Sequence, residues 1–216
     1  VQAGQSWDAF VAHAVENEWR GVEALSGIPG TVGATPIQNV GAYGQQVGDV
    51  IAQVRAWNRE TNTIDTLFID SCQFAYRSSV FKTHPLRWVI LSVTFQLKLG
   101  NLSQPVMYPE LAQRLNVQVG ERASVADVRA AVLEIRHSKG MVVDVSDHDT
   151  WSVGSFFLNP RVAVAPDGAP AWPQPNGDVK VSAAWLIEQA GFPRGFGLND
   201  RVTLSTKHTL AITNRG

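Results

Sequence analysis

The first residues whose types and spacing suggest chemistry lie between Gly27 and Gly48: Gly27-Ile28-Pro29-Gly30-Thr31-Val32-Gly33-Ala34-Thr35-Pro36, then Ile37-Gln38-Asn39-Val40-Gly41-Ala42-Tyr43-Gly44. Glycines this dense permit positive φ and let backbone N–H groups come close to a ligand. The spacing matches neither phosphate-binding consensus. No Lys-Ser/Thr pair follows, and the first glycines run G-x-x-G-x-x-G, not G-x-G-x-x-G. One reading is an irregular loop that turns the chain. Gln38, Asn39 and Tyr43 support another, because amides and an aromatic ring among glycines suit a flat heteroaromatic ligand. Other reactive side chains read as structural. Asp147-His148-Asp149 is too short, and too far from other ligand-type residues, to hold a metal, so none is expected. His13, His84 and His208 have no partner in the sequence, and Cys72 has no base pattern beside it. By residue type alone, Ser155 is a helix-cap or turn serine and Arg77 a surface arginine.

These residues need elements to position them. Ser6 to Trp19 has apolar residues at helix spacing, with Ser6 as the N-cap. Val50–Trp57 and Thr63–Ile69 are β-prone and flank Asn58–Asn62, which predicts a hairpin with a five-residue loop. Trp88 to Leu97 reads as a central strand. Ser124 to His137 is a helix, capped by Ser124, with Val125, Val128, Val132 and Ile135 on one stripe. A further helix runs from Ser182 to Ala190 and stops at Gly191, and His208 to Thr213 is a short strand. Helices and strands are interspersed without β-α-β-α alternation, so the fold class is α+β. The 216 residues carry 18 basic and 19 acidic side chains. That near-neutral balance argues against a nucleic-acid or anionic-membrane partner. A single cysteine excludes a disulfide framework, and the longest apolar run, Trp88–Phe95, is far short of the ~20 residues of a membrane helix. A soluble, cytoplasmic protein is expected. The chain opens at Val1 and stops at Asn214-Arg215-Gly216 directly after an apolar run, which reads as a piece of a longer protein.

Three segments, in order, resemble the UDP-N-acetylenolpyruvoylglucosamine reductase (UDP-N-acetylmuramate dehydrogenase) family. Gly27–Gly44 is similar to its flavin-contacting loop. Cys72-Gln73-Phe74-Ala75-Tyr76-Arg77-Ser78-Ser79-Val80-Phe81-Lys82 resembles its Tyr-Arg-x-Ser-x-Phe-Lys signature, and Gly154-Ser155-Phe156-Phe157-Leu158-Asn159-Pro160 its Gly-Ser-Phe-Phe-x-Asn-Pro signature. The resemblance implies a partial FAD-binding domain over residues 1–140, with a mixed or antiparallel sheet and helices, and a smaller α+β substrate-binding domain over residues 141–216. It implies FAD and NADPH as cofactors, and reduction of UDP-N-acetylglucosamine enolpyruvate to UDP-N-acetylmuramate for peptidoglycan. Hydride added to C3 of the enolpyruvyl group pushes charge through C2 into the carboxylate, so the reaction needs fixed donors for that charge and an acid to protonate C2.

By the same resemblance, Ser155 is the proton donor and Arg77 holds the carboxylate and enolate, a task its planar fork suits. Gly33, Ala34, Ile37, Gln38, Asn39, Gly41, Ala42 and Tyr43 contact the flavin. Tyr76, Tyr108, Lys139, Asn159 and Lys180 contact substrate, Tyr108 from a mobile loop. Leu158 stands where the family commonly has a basic residue. Nothing before Gly21 resembles the family's N-terminal pyrophosphate-binding segment, and its C-terminal catalytic glutamate has no counterpart here. A chain of this extent is therefore expected to bind FAD weakly and to be inactive by itself, within a parent that is monomeric. The competing readings are a non-catalytic nucleotide-sugar binding module and a flavin oxidase of the same FAD-binding architecture.

Overall fold

The computed structural model describes residues 1–174, 176–199 and 201–216. They pack as two compact units, Val1–Ile135 and Arg136–Gly216, and the fold is α+β with antiparallel strand pairing throughout the described ladders.

In the first unit the elements are α1 (Trp7–Glu16), β1 (Trp19–Arg20), β2 (Gly41–Ala42), β3 (Gln45–Gln46), β4 (Ile51–Asn58), β5 (Thr63–Phe68), α2 (Ile69–Cys72), α3 (Val80–Thr83), β6 (Trp88–Phe95), β7 (Lys98–Leu99), α4 (Pro109–Leu115) and all but the last turn of α5 (Val125–Ser138). Helix α1 starts where its cap predicts, Ser6 Oγ accepting from Ala9 N–H at 3.4 Å, but it ends at Glu16 and not at Trp19. The Asn17 amide donates to the His13 carbonyl, Glu18 takes a positive φ of 55°, and the chain reverses into β1 against β7. The main sheet has the order β5-β4-β6. Strand β4 is therefore central and the apolar Trp88 segment lies beside it. Val1–Ala3 runs along the far side of β6, exchanging N–H···O bonds between Val1 and Val93 at 2.8 and 2.9 Å. The β4–β5 loop is one residue shorter than expected, because Asn58 pairs with Thr63 and its buried amide donates to Asp65 at 2.9 Å.

Two clusters form the core of this unit. Trp7, Val11, Leu25, Val54, Phe81 and Val93 bring α1, the sheet and α3 together. Leu111, Val128, Val132 and Ile135 join α4 to the stripe of α5. Ser124 Oγ accepts from Asp127 N–H at 3.2 Å, as an N-cap should. Arg129 grips both Asp8 oxygens at 2.7 and 2.8 Å, and Asp8 also accepts from Gly27 N–H at 2.7 Å. One carboxylate thus ties α5 and α1 to the start of the glycine-rich loop.

The second unit contains β8 (Ser152–Ser155), β9 (Arg161–Val162), β10 (Ala171–Pro173), β11 (Val179–Val181), α6 (Ala183–Gln189), β12 (Gly197–Asn199), β13 (Val202–Leu204) and β14 (Ala211–Asn214). Its sheets have the orders β10-β11-β9 and β12-β13-β14-β8. Ser182 caps α6 through Trp185 N–H at 3.3 Å. Strand β14 begins three residues later than the sequence suggests. The backbone N–H groups of Lys207 and His208 bond Ser205 Oγ at 3.0 and 3.2 Å, which holds them in a turn.

Candidate functional site

The glycine-rich stretch of the first unit is more regular than its composition implies. Val32 N–H donates to Gln5 O and Gly33 N–H to Ala3 O, each at 2.9 Å. A Cβ on Gly33 would lie 2.5 Å from that of Ala3, so only glycine allows this approach. Strands β2 and β3 then form a hairpin closed by Tyr43 and Gly44, whose φ values of 48° and 88° are those of a type I′ turn. Ala34, Ile37 and Gln38 face solvent, and Gly41, Ala42 and Tyr43 are half-buried.

Asn39 does not reach outward with Gln38. It is fully buried with φ 46°, and its amide group donates to Gln46 Oε1 at 3.1 Å and to the Ala75 carbonyl at 3.0 Å, while its oxygen accepts from Gly48 N–H at 2.9 Å. The side chain therefore ties the loop to the segment that precedes Arg77. The guanidinium of Arg77 completes the attachment, donating to the carbonyls of Asn39, at 3.3 Å, and of Gly41. Ser79 Oγ donates to Ile37 O at 2.5 Å, and Lys82 Nζ to Arg77 O at 2.9 Å. Among the described residues the partners of the Arg77 fork are carbonyl dipoles, which hold its charge in place without neutralising it. Tyr76 is exposed, with the Arg77 guanidinium carbon 5.2 Å from its ring centre. Tyr108 precedes α4 and meets Tyr43 edge to face, centroids 5.9 Å apart.

Beside this hairpin, Glu23, Tyr43, Gly44, Gln45, Met107 and Leu111 line a cavity of about 200 Å³. The sequence reading missed Glu23 and Gln45. Glu23 is fully buried and accepts from Gly21 N–H at 2.6 Å and Gln45 Nε2 at 2.8 Å, and Gln45 Oε1 accepts from Ala24 N–H at 2.8 Å. The available signal was an acid inside the apolar run Val22-Glu23-Ala24-Leu25. Cys72 is buried, and loss of water around it pushes the thiol up to about 11, which removes it as a nucleophile at neutral pH.

In the second unit Ser155 is the exposed last residue of β8, the strand at the edge of its sheet, and it caps no helix. The rings of Phe156 and Phe157 are tilted against each other with centroids 4.7 Å apart and, with Ile187, Phe192, Phe196 and Ile212, wall an apolar cavity of about 350 Å³. Asn159 Oδ1 accepts from Ala183 N–H at 2.9 Å, at the start of α6. Lys180 lies 5.9 Å from the Trp172 ring centre. Lys139 is half-buried just past α5. Burial first, then the charges of Lys139 and Arg194, lower the His208 imidazole below its ordinary value. The aspartates of Asp147-His148-Asp149 make ion pairs, Asp147 with Lys207 and Asp149 with Arg215. Among the described residues, no helix is long and apolar enough to cross a membrane.

The positive-φ loop, its arginine and the α+β frame fit a flavoprotein, and a family model described as "FAD binding domain" matches residues 1–66. A second, described as "UDP-N-acetylenolpyruvoylglucosamine reductase, C-terminal domain", matches residues 146–216. Along its whole length the chain is similar to a fragment of the enzymes of the UDP-N-acetylenolpyruvoylglucosamine reductase family. It is 57% identical over 220 residues to the UDP-N-acetylenolpyruvoylglucosamine reductase of Cutibacterium acnes, covering all of this chain and 58% of that protein. The enzyme of the same name from Salinispora arenicola is 54% identical over 227 residues, with 62% of its length covered. This chain thus spans about three fifths of the length of these relatives. The crystal structure of UDP-N-acetylenolpyruvylglucosamine reductase from Thermus caldophilus shares the fold, with a TM-score of 0.64 at 20% identity over 99% of this chain and 60% of that one.

Proposed function

We propose that the protein containing this chain is an NADPH- and FAD-dependent reductase. It converts UDP-N-acetylglucosamine enolpyruvate to UDP-N-acetylmuramate, at the cytoplasmic stage of peptidoglycan synthesis. The observation that carries this reading is the attachment of Arg77 to the glycine-rich loop, which brings two of the family's signatures together with an un-neutralised cation between them. The loop fits a flavin: its outer face presents Ala34, Ile37 and Gln38, an apolar surface edged by an amide, which suits a flat ring with a polar rim. When bound, FAD supplies hydride transfer from NADPH to C3 of the enolpyruvyl group. Gly33, Gly41, Ala42 and Tyr43 would hold the ring, with Asn39 shaping the loop from inside.

Arg77 binds the substrate carboxylate and stabilises the charge that develops on it as C3 is reduced. Ser155 donates its hydroxyl proton to C2 and recovers one from solvent. Tyr76, Tyr108, Lys139, Asn159 and Lys180 bind the rest of the substrate, the last two from a substrate domain that starts near Met141. In the full-length protein, Ser155→Ala should leave flavin reduction by NADPH unchanged. It should slow flavin reoxidation by the enolpyruvyl substrate by about 10²–10⁴-fold. If both half-reactions fall together in stopped-flow absorbance, Ser155 is not the acid. A colourless full-length protein that binds the nucleotide sugar would return the function to a binding module.

A further inference from the structure

The geometry points to Asp149 as the positioning residue that fixes β8, and with it Ser155, in the second unit. Asp149 lies six residues before Ser155, and its side chain is buried, with 3% of its surface exposed. Its carboxylate accepts from Thr206 N–H at 2.9 Å, from the Thr206 hydroxyl, and from Arg215 Nη2 at 2.5 Å. Thr206 lies in the turn before β14, and Arg215 directly follows that strand. One side chain therefore clamps both ends of β14, the strand against which β8 is registered through Ala211 with Ser155 and Thr213 with Ser152.

The clamp is itself braced. Asp147 accepts from Asp149 N–H at 3.0 Å and pairs with Lys207 at 2.5 Å, which fixes the 148–150 turn that leads into β8. Asn214 N–H donates to Trp151 O at 2.9 Å, and Phe156 N–H to Leu210 O at 3.0 Å, so β8 is held on β14 at both ends. Gly140, the neighbour of Lys139, approaches Asp149 so closely that a Cβ there would lie 3.0 Å from that of Asp149. Burial opposes ionisation of Asp149, but hydrogen bonds from Thr206 and Ser205 and the Arg215 charge outweigh it and hold the carboxyl below its ordinary value. The clamp is therefore a carboxylate at neutral pH. An edge strand has backbone bonds on one side only, and Ser155 stands at its exposed end, where small displacements of a reacting group are costly.

The inference rests on the role proposed for Ser155, and the test separates the two. In the full-length protein, Asp149→Asn and Thr206→Val should each slow flavin reoxidation by the enolpyruvyl substrate about tenfold or more. NADPH reduction of the flavin should stay at the wild-type rate, and deuterium uptake across 152–155 should rise. Thr206→Ser keeps the hydroxyl and should behave as wild type. If the Asp149→Asn protein does not fold, the Thr206→Val and Thr206→Ser pair decides. Unchanged reoxidation in the Asp149 and Thr206 variants, alongside a block in Ser155→Ala, overturns the positioning role and leaves the acid in place. Equal losses in both half-reactions also overturn it. Should Ser155→Ala itself reoxidise normally, the acid assignment falls. Deuterium uptake in the Asp149→Asn protein then decides the clamp, with raised uptake supporting it and unchanged uptake overturning it.

Discussion

Arg77 takes a positive φ of 54° and points its fork back at the glycine-rich loop. A non-glycine residue in that region has an unfavourable backbone, so the hydrogen bonds it makes must compensate. Two nitrogens of one rigid group reach two carbonyls two residues apart, which a lysine ammonium cannot reproduce. Arg77→Lys should therefore retain the charge but loosen the loop. In the full-length protein we expect a loss of about 1.5–3 kcal/mol of stability in urea unfolding, the scale of a hydrogen bond to a charged group. Flavin should also leave the protein on dialysis. Normal flavin retention with only the substrate half-reaction impaired would mean that Arg77 serves the substrate alone.

At the scale of elements, α5 shows which links matter. Its cap is a local device, and Ser124→Ala should cost about 1 kcal/mol. Its tie through Arg129 to Asp8 and on to Gly27 is tertiary and shared by three segments, so Asp8→Ala should cost about 2 kcal/mol, because it also strands a partly buried guanidinium. Urea midpoints that rank the two substitutions the other way would show that the tie contributes little. The same contrast explains what could be read in advance. Helices α5 and α6 were legible because caps and an apolar stripe are written in neighbouring residues. The β2–β3 hairpin was not, since strands of two residues have no period and its turn is Tyr-Gly, not the usual Asn-Gly. The apolar Trp88 segment suggested a central strand, and β6 does have backbone partners on both sides, β4 and the Val1–Ala3 segment, though no periodicity announces the second. Asn39 stands out in the sequence by type, and Arg77 only by the motif it sits in. That they hold each other, and that Asp149 finds Thr206 and Arg215, are consequences of folding with no local signature.

For the whole molecule, the question is what the 216 residues can do without the remainder of a longer protein. The match to an FAD-binding model ends at residue 66, and the curated relatives are covered over only 58–64% of their length. The loop that would face the ring is internally complete, tied by Asn39, Arg77 and Ser79 to residues of its own unit. A flavin dinucleotide also has a charged pyrophosphate, and the family resemblance leads us to expect no grip on it before Gly21. The first unit also has an apolar groove of about 360 Å³ lined by Val1, Phe10, Trp19, Phe95, Leu97 and Leu99, surface of the kind a further segment covers. The 216-residue chain, expressed alone, should therefore fold with its native helix and strand content yet carry flavin well below one equivalent. The full-length protein should be yellow and stoichiometric. Absorbance at the flavin band against protein concentration, with far-ultraviolet circular dichroism of both, measures this. One equivalent of flavin on the isolated chain would show that its loops suffice for the whole cofactor. The pyrophosphate would then have to be held by backbone N–H groups already among these residues.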